Sequence, residues 1–153
     1  MKINPRLYKN EDFDALVILW RISREKSVPD FQLRKGHFFY EDMDYFRDHL
    51  LAGNTAWVVE DESGRPAAFM AIKDEFIDHL YVHPAHWRKG FGEQLLAFAR
   101  TLSPARLWLY TLQINTNARA FYEKNGFKPI AFGVSPAPES EPDVKYEWVR
   151  SDE

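Results

Sequence analysis

The segment HWRKGFGEQLL, residues 86–96, places two glycines two positions apart, directly after two basic residues. Because Gly90 and Gly92 lack a Cβ, the backbone around them can approach a ligand closely. A β-rich stretch precedes the segment and a periodic apolar run follows it, which indicates a strand-to-helix junction. The free N–H groups of a first helical turn, the helix dipole and the cations of Arg88 and Lys89 together favour phosphate. The pattern predicts a pyrophosphate site, and the alternative is a glycine-rich helix start whose basic residues are only solvated.

Other nucleotide and hydrolase motifs do not fit the chain. The dinucleotide-binding pattern needs a third glycine where Leu95 stands, and the Gly-Lys-Ser/Thr of a triphosphate loop does not occur. Gly-x-Ser-x-Gly is absent as well, which argues against a hydrolase. There is no cysteine, so disulfides, thiolate metal sites and a thioester formed on the enzyme are excluded.

The composition limits the architecture and the partners. With 153 residues and 45% apolar content, the chain is expected to form one domain over residues 1–153. A formal charge of -3 argues against nucleic acid or an anionic membrane as the main partner. The N-terminus lacks an apolar run, and no stretch approaches the roughly 20 residues needed to span a bilayer. A soluble cytoplasmic protein is expected.

The elements that would hold this site follow from the apolar periodicity. Strands are expected over residues 2–8, in a hairpin of 55–61 and 65–73, and over 75–83, 106–112, 127–134 and 143–149. Helices are expected from Asp12 onward, from about Met43 to Gly53, after Gly90 as far as Leu102, and from an Asn115 cap to Gly126. Residues 27–39 are expected to be irregular, and residues 135–142 to form an exposed loop.

Two segments in this order, HPAHWRKGFG after the strand IDHLYV and then NTNARAFYEKNGF, resemble the GNAT superfamily of acyl-CoA-dependent N-acyltransferases. Val82, Pro84, Gly90 and Gly92 match the first family pattern, and Asn115, Ala118, Phe121, Tyr122, Gly126 and Phe127 match the second. One position departs from the family: Trp87 stands where Arg or Gln is usual. The contact made there is therefore open, and Arg88 is a candidate to make part of it.

The resemblance implies an α/β fold in three layers. Its sheet would be a mixed, mainly antiparallel seven-stranded sheet, splayed at a central parallel pair and flanked by about four helices. It also implies acetyl-CoA as co-substrate. The backbone of Leu80, Tyr81 and Val82 would pair with the pantetheine arm, and the segment formed by Arg88, Lys89, Gly90, Phe91, Gly92 and Glu93 would hold the pyrophosphate. An opened sheet offers the unpaired backbone groups that such an arm needs.

The implied activity is transfer of an acetyl group to a primary amine, on a small molecule or a peptide, by direct attack in a ternary complex. Dimers are common in the family, so a homodimer is one expected state. The alternative is a non-catalytic acyl-CoA-binding or sensing module with the same fold. The acceptor site is expected between residues 25–51 and 134–142, because these segments are irregular and carry no motif.

The family places a tyrosine near the thioester sulfur, so the resemblance makes Tyr122 the general acid. A phenol with an ordinary pKa near 10 is protonated at neutral pH. Asn115 either orients substrate or cofactor, or only caps its helix. For the base, the strand before Pro84 offers Glu75, Asp78 and His79. Alternation puts Glu75 on one face with Ile77, His79 and Tyr81, and puts Asp78 on the other face with Phe76, Leu80 and Val82. Glu75 is the leading candidate, Asp78 the second, and either could act through water.

No metal is expected, although His79, His83 and His86 lie close together in the sequence. Four residues of a strand span roughly 13 Å, too far for His79 and His83 to share one ion. Pro84 prevents a helix that would bring them together. Nearer the C-terminus, Glu139 and Glu141 suggest a cationic acceptor, but a solvated acidic loop explains them equally well.

Overall fold

A seven-stranded sheet with the order β1-β2-β3-β4-β5-β7-β6 organises the protein in its computed structural model, which describes residues 2–151. The strands are Arg6–Leu7 (β1), Thr55–Glu60 (β2), Pro66–Lys73 (β3), Phe76–Val82 (β4), Arg106–Leu112 (β5), Lys128–Val134 (β6) and Pro142–Val149 (β7). All neighbouring strands are antiparallel except the parallel pair β4 and β5. The predicted mixed sheet is therefore confirmed.

Helices connect the strands and cover the sheet. Within residues 2–151 the α-helices are Phe13–Ser27 (α1), Pro29–Lys35 (α2), Phe39–Tyr45 (α3), Phe91–Leu102 (α4) and Thr116–Lys124 (α5). The last turn of α3 widens into a π-helical segment, Phe46–Leu51. None of these helices has the length and apolar character to cross a membrane.

The helix α2 corrects the prediction of an irregular segment over residues 27–39. Pro29 occupies the first turn, where its missing N–H has no helical partner in any case. Asp30 adds a negative charge at that end, and Lys35 a positive charge at the other, so both complement the helix dipole. Phe31 is buried and attaches the short helix to the protein. Seven residues carry too little periodicity to be recognised beside the stronger signal of α1.

The sheet is the middle of three layers, as expected. On one face α1 and the π-helical segment bury Leu16, Val17, Leu19, Trp20, Phe46 and Leu50 against Val58, Phe69 and Ala71. On the other face α4 and α5 bury Phe91, Leu95, Leu96, Ala99 and Tyr122 against Met70, Ile72, Ile77, Leu107 and Tyr146. The buried positions recur at helical spacing, so the apolar stripes visible in the sequence are the faces that pack on the sheet.

The central parallel pair is joined at one end only. Phe76 of β4 and Trp108 of β5 are register partners, and the Trp108 N–H donates to the Glu75 carbonyl at 3.0 Å. The rings of Phe76 and Trp108 stack with centroids 4.3 Å apart. No second register pair joins β4 to β5 in the described part of the chain. The two strands therefore diverge toward their C-terminal ends, where their facing backbone groups are open to a ligand.

A bulge in β4 changes which side chains share a face. Ala71 pairs with His79, but the next residue of β3, Ile72, pairs with Ile77, so Asp78 is an extra residue in β4. As a result Ile77 packs in the α4 cluster, together with Leu80 and Val82, rather than with His79 and Tyr81. The strict alternation predicted for residues 75–82 is wrong for this reason.

Candidate active site

The glycine-containing junction forms the N-terminus of α4. Gly90 is the N-cap residue, with a left-handed φ of 82° that favours glycine. Arg88 also has a positive φ, 64°. The first helical hydrogen bond runs from the Gln94 N–H to the Gly90 carbonyl at 3.1 Å, so the N–H groups before it have no helical acceptor. This backbone suits an anion at the helix tip.

Arg88 and Lys89 supply full positive charge beside that tip. Both side chains are exposed, and neither forms an ion pair with any residue between 2 and 151. Their charges are therefore available to a ligand. The segment from Arg88 to Glu93 thus combines a helix N-terminus with two exposed cations, and pyrophosphate binding there stays a prediction.

Gly92 has a different role from Gly90. A Cβ built on Gly92 would lie 2.8 Å from Cζ of Phe121 in α5, closer than real Cβ contacts come. At Gly90 the nearest neighbour is the Gln94 side chain at 3.8 Å, so space is not the constraint there. The second glycine therefore permits close packing between α4 and α5, and the ligand approach that the sequence suggested for it stays a prediction.

Trp87 fills the position where the family usually has Arg or Gln, and it turns back toward β4. Its indole N–H donates to the Val82 carbonyl at 2.6 Å, and the ammonium of Lys26 lies 5.5 Å from the ring centroid. The Ser23 hydroxyl donates to the same carbonyl at 3.0 Å. Trp87 thus closes the loop after β4, and the Val82 carbonyl is already engaged.

The remaining backbone groups of β4 face in alternate directions. The His83 N–H donates to the Ala67 carbonyl of β3 at 2.8 Å. Because the polar groups of successive residues alternate along a strand, those of Tyr81 point toward β3, whereas those of Leu80 and Val82 point toward the gap beside β5. The Leu80 backbone and the Val82 N–H are therefore the groups suited to a pantetheine arm.

A cavity of about 1230 Å³ lies where β4 and β5 diverge. Residues of α1 to α3, the inner strands and the β6–β7 loop line it, including Val28, Tyr45, His49, Tyr110, Val134, Ser135 and Glu139. The segments 25–51 and 134–142 predicted for the acceptor site thus meet on one cavity. Glu139 lies on its wall, but Glu141 does not, because Glu141 is buried and paired with Arg34 at 3.1 Å and Lys35 at 3.0 Å.

Glu75, the leading base candidate, is not among the cavity-lining residues. It precedes β4 beside the closed end of the parallel pair, and its carboxylate lies 3.4 Å from Arg106. Asp78 does line the cavity, because the bulge presents it there, and it accepts a hydrogen bond from Asn54 at 2.9 Å. The structure therefore brings the second sequence candidate, and not the first, to the cavity.

His79 is a cavity residue that the sequence offered for the base without ranking it, behind Glu75 and Asp78, and also as a rejected metal ligand. Its Nε2 lies 3.4 Å from the Tyr45 hydroxyl and 3.8 Å from an Asp78 carboxylate oxygen. Burial lowers the pKa of His79 below its ordinary value, against the opposing effect of Asp78. The imidazole is therefore neutral at pH 7, and a neutral imidazole can accept a proton. Alternation could not place His79 on the cavity side apart from Ile77, because the bulge interrupts it.

Tyr122 lies on α5 and is 8% exposed. Its ring packs against Phe127 and Tyr146, with centroids 5.6 and 6.1 Å away. Burial raises the pKa of Tyr122, and Tyr81 of β4 raises it further. The hydroxyl has no hydrogen-bond partner among the described residues. It is thus a protonated donor whose hydrogen bond is still available.

Asn115 is the N-cap of α5, as the sequence predicted. Its side-chain oxygen accepts a hydrogen bond from the Ala118 N–H at 3.1 Å. The residue also lines the cavity. Its capping role is therefore shown, and a second role toward a ligand is compatible with its place.

The described part of the chain contains no group of side chains that could bind a metal ion. No set of three or more His, Asp or Glu side chains there is arranged to hold a metal ion. His83 instead accepts a hydrogen bond from the Ala85 N–H at 3.0 Å, and His86 stacks on Phe91 with ring centroids 5.4 Å apart.

Residues 52–129, which include β4, α4 and α5, match the family model described as "Acetyltransferase (GNAT) domain". Over 128 residues the chain is 30% identical to the peptidyl-lysine N-acetyltransferase YjaB of Salmonella typhimurium, covering 84% of this chain and 85% of that protein. The Escherichia coli protein of the same name is 28% identical, covering 84% of each chain.

Solved structures show the same fold over almost the whole chain. The solution structure of apo-form YjaB from Escherichia coli superposes with a TM-score of 0.83 at 25% identity, covering 99% of this chain and 100% of that one. The yncA acetyltransferase of Salmonella typhimurium, solved with acetyl-CoA, gives a TM-score of 0.69 at 14% identity, covering 100% and 96%. At this identity the second likeness concerns the fold alone.

Proposed function

The chain belongs to the GNAT family of acetyltransferases, and we propose that its acceptor is the side-chain amine of a lysine in a peptide or protein. It is an N-acetyltransferase that uses acetyl-CoA as co-substrate, in agreement with its family and with the names of its relatives. The lysine acceptor is supported by the names of the relatives and by the cavity, whose wall carries more carboxylates than cations. The observation that carries the proposal is this cavity at the divergence of β4 and β5, where the segments 25–51 and 134–142 meet the two inner strands.

We propose that the chain holds acetyl-CoA through two sets of its own groups. Of the predicted residues Leu80, Tyr81 and Val82, the Leu80 backbone and the Val82 N–H face β5 and would bind the pantetheine arm, whereas the Tyr81 backbone faces β3. The helix tip formed by Arg88, Lys89, Gly90, Phe91, Gly92 and Glu93 would bind the pyrophosphate. Acetyl-CoA supplies a thioester whose sulfur departs as a thiolate. Because the chain has no cysteine, the amine would attack directly, with both substrates bound.

Two side chains would then handle the protons. Tyr122 keeps its proton at neutral pH and would donate it to the departing sulfur. His79, neutral for the reason given above, would take the proton that the amine nitrogen loses as its bond to the acetyl carbon forms. Asp78 and Tyr45 would position the imidazole through the same ring nitrogen, since they lie 3.8 and 3.4 Å from Nε2. Asn115 would support the site by fixing the start of α5.

A lysine peptide tests the proposed acceptor. With acetyl-CoA present, we expect release of CoA thiol and a mass gain of one acetyl group on a peptide with a single internal lysine and a blocked N-terminus. The matched control is the same peptide with its lysine already acetylated, which should release no thiol. If free amino acids or antibiotics are acetylated and every lysine peptide is refused, the proposed acceptor is wrong.

The pH dependence of the rate tests His79. Because burial depresses the His79 pKa, the base is active above that pKa, and kcat/KM should fall as the pH drops through a value below about 6.5. We expect His79→Gln to lower kcat by about 10²-fold and to abolish this acidic limb. Glu75→Gln, the variant of the competing candidate, should keep both the rate and the limb. The opposite result, in which only Glu75→Gln removes the limb, would restore Glu75 as the base.

A further inference from the structure

One carboxylate that lines the cavity is buried and forms no ion pair with a cation of residues 2–151. Asp143 of β7 is 8% exposed and lines the cavity. No Lys, Arg or His of residues 2–151 forms an ion pair with it. Burial raises the pKa of Asp143, and the nearby charge of Glu139 raises it further. Burying a carboxylate without a cation is unfavourable, so Asp143 lowers the free energy of unfolding of the ligand-free protein.

The strand pairing leaves room around that carboxylate. Gly133 of β6 is the register partner of Asp143, and a Cβ at Gly133 would lie 3.5 Å from Oδ1 of Asp143. Both residues line the cavity. The carboxylate therefore faces a space that the opposite strand leaves open.

Glu139 adds a second carboxylate to the same wall. Its backbone carbonyl accepts a hydrogen bond from Lys35 Nζ at 2.6 Å, which fixes the loop. The Glu139 side chain forms no ion pair within the described residues, because Lys35 pairs with Glu141 instead. Asp143 and Glu139 thus form a pair of carboxylates that we name the acidic subsite.

The cations of the cavity do not neutralise the acidic subsite. Arg24 lies over the Trp20 ring, with 4.6 Å from Cζ to the centroid, Lys35 is held by Glu141 at 3.0 Å, and the Lys145 ammonium lies 4.5 Å from the centroid of the Trp108 ring. Each cation that lines the cavity therefore already has a partner of its own. The negative charge of the acidic subsite remains for a ligand.

We infer that the acidic subsite binds a second cationic group of the acceptor, so that the preferred lysine has a basic residue beside it. This inference rests on the proposed lysine acceptor. The reacting amine itself must lose its charge before it attacks, which a carboxylate partner opposes. The proton-accepting His79 and its neighbour Asp78 belong to β4, whereas the acidic subsite belongs to β7 and the β6–β7 loop. The β4 side of the cavity therefore suits the amine that reacts, and the acidic subsite suits the second, charged group of the same acceptor.

A pair of peptides tests the subsite. The peptides share one lysine and differ only beside it, where one has arginine and the other has neutral citrulline of nearly equal shape. We expect wild-type kcat/KM to be about tenfold or more higher for the arginine peptide. Asp143→Asn and Glu139→Gln should each reduce this preference toward one. A free diamine serves as a third acceptor, because it carries the same second cation without a peptide.

Asp44→Asn is the matched control, since it removes the same charge from a residue of the cavity rim whose carboxylate is paired with Arg47 at 2.8 Å. It should retain the preference. Glu139 lies in a loop, so Glu139→Gln remains informative if Asp143→Asn fails to fold. Equal kcat/KM for both peptides, or an undiminished preference in both folded variants, would overturn the inference. If no peptide is acetylated, the proposed acceptor fails, and calorimetry of the two peptides with CoA present still measures the preference.

Discussion

Tyr122→Phe should lower kcat by about 10²- to 10⁴-fold while leaving the affinity for acetyl-CoA unchanged. The substitution removes only a hydroxyl that no described residue binds, and the phenylalanine ring can keep the contacts with Phe127 and Tyr146. Because the buried phenol is protonated at neutral pH, its loss deprives the departing thiolate of a proton donor. Steady-state thiol release and calorimetry with acetyl-CoA measure the two quantities.

Tyr146→Phe is the matched control for this experiment. The Tyr146 hydroxyl donates to Glu123 at 2.6 Å and accepts from Arg119 at 3.1 Å, so it is fully used within the protein. Its removal should reduce the free energy of unfolding and leave kcat near the wild-type value. Wild-type kcat in Tyr122→Phe would show that Tyr122 only packs, and the donor would then have to be water or another side chain.

Gly90→Glu should weaken acetyl-CoA binding by about ten- to hundredfold. A residue with a Cβ pays about 1–2 kcal/mol for the left-handed conformation at this N-cap, and each 1.4 kcal/mol corresponds to a factor of ten in affinity when the binding conformation is lost. The added carboxylate also repels a diphosphate at the helix tip. Calorimetry with acetyl-CoA on the folded variant gives the dissociation constant.

Gly64→Glu is the matched control for Gly90→Glu. It adds the same carboxylate and the same backbone strain at a glycine outside the helix tip. Gly64 lies in the β2–β3 turn with a φ of 85°, and a Cβ there would meet no atom within 4 Å. This variant should lose a similar amount of stability and keep its affinity for acetyl-CoA. Equal affinity in wild type and Gly90→Glu would contradict the placement of the diphosphate at the start of α4.

The sheet could be predicted because burial leaves a strong imprint on its residues. The strands β2 and β3 are apolar runs on either side of a short polar turn, and β5 is a short, largely apolar run with buried Leu107 and Leu109. The bulge at Asp78 could not be predicted, because an extra residue in one strand is a property of the pairing with β3 and not of the local sequence. Likewise α2 depends on one buried side chain, Phe31.

The site was predictable where a motif fixes backbone and side chain together. The N-cap at Gly90 and the cap at Asn115 follow from local rules of helix termini, and both occur as expected. The presence of His79 and Asp143 in one cavity could not be predicted, because it results from the divergence of β4 from β5 and from the pairing of β6 with β7. Such residues become candidates only when distant strands are brought together.

The close contact between Gly92 and Phe121 has a consequence for the choice of thioester. Since no methyl group fits between them, α4 and α5 keep a fixed separation, and Tyr122 directly follows Phe121 in the chain. The proposed anchor for the nucleotide end and the proposed donor for the sulfur would therefore be held at a constant distance from each other. An acyl thioester with a shorter or longer pantetheine arm should reach only one of these two groups. We therefore expect the protein to select its acyl donor by the length of that arm.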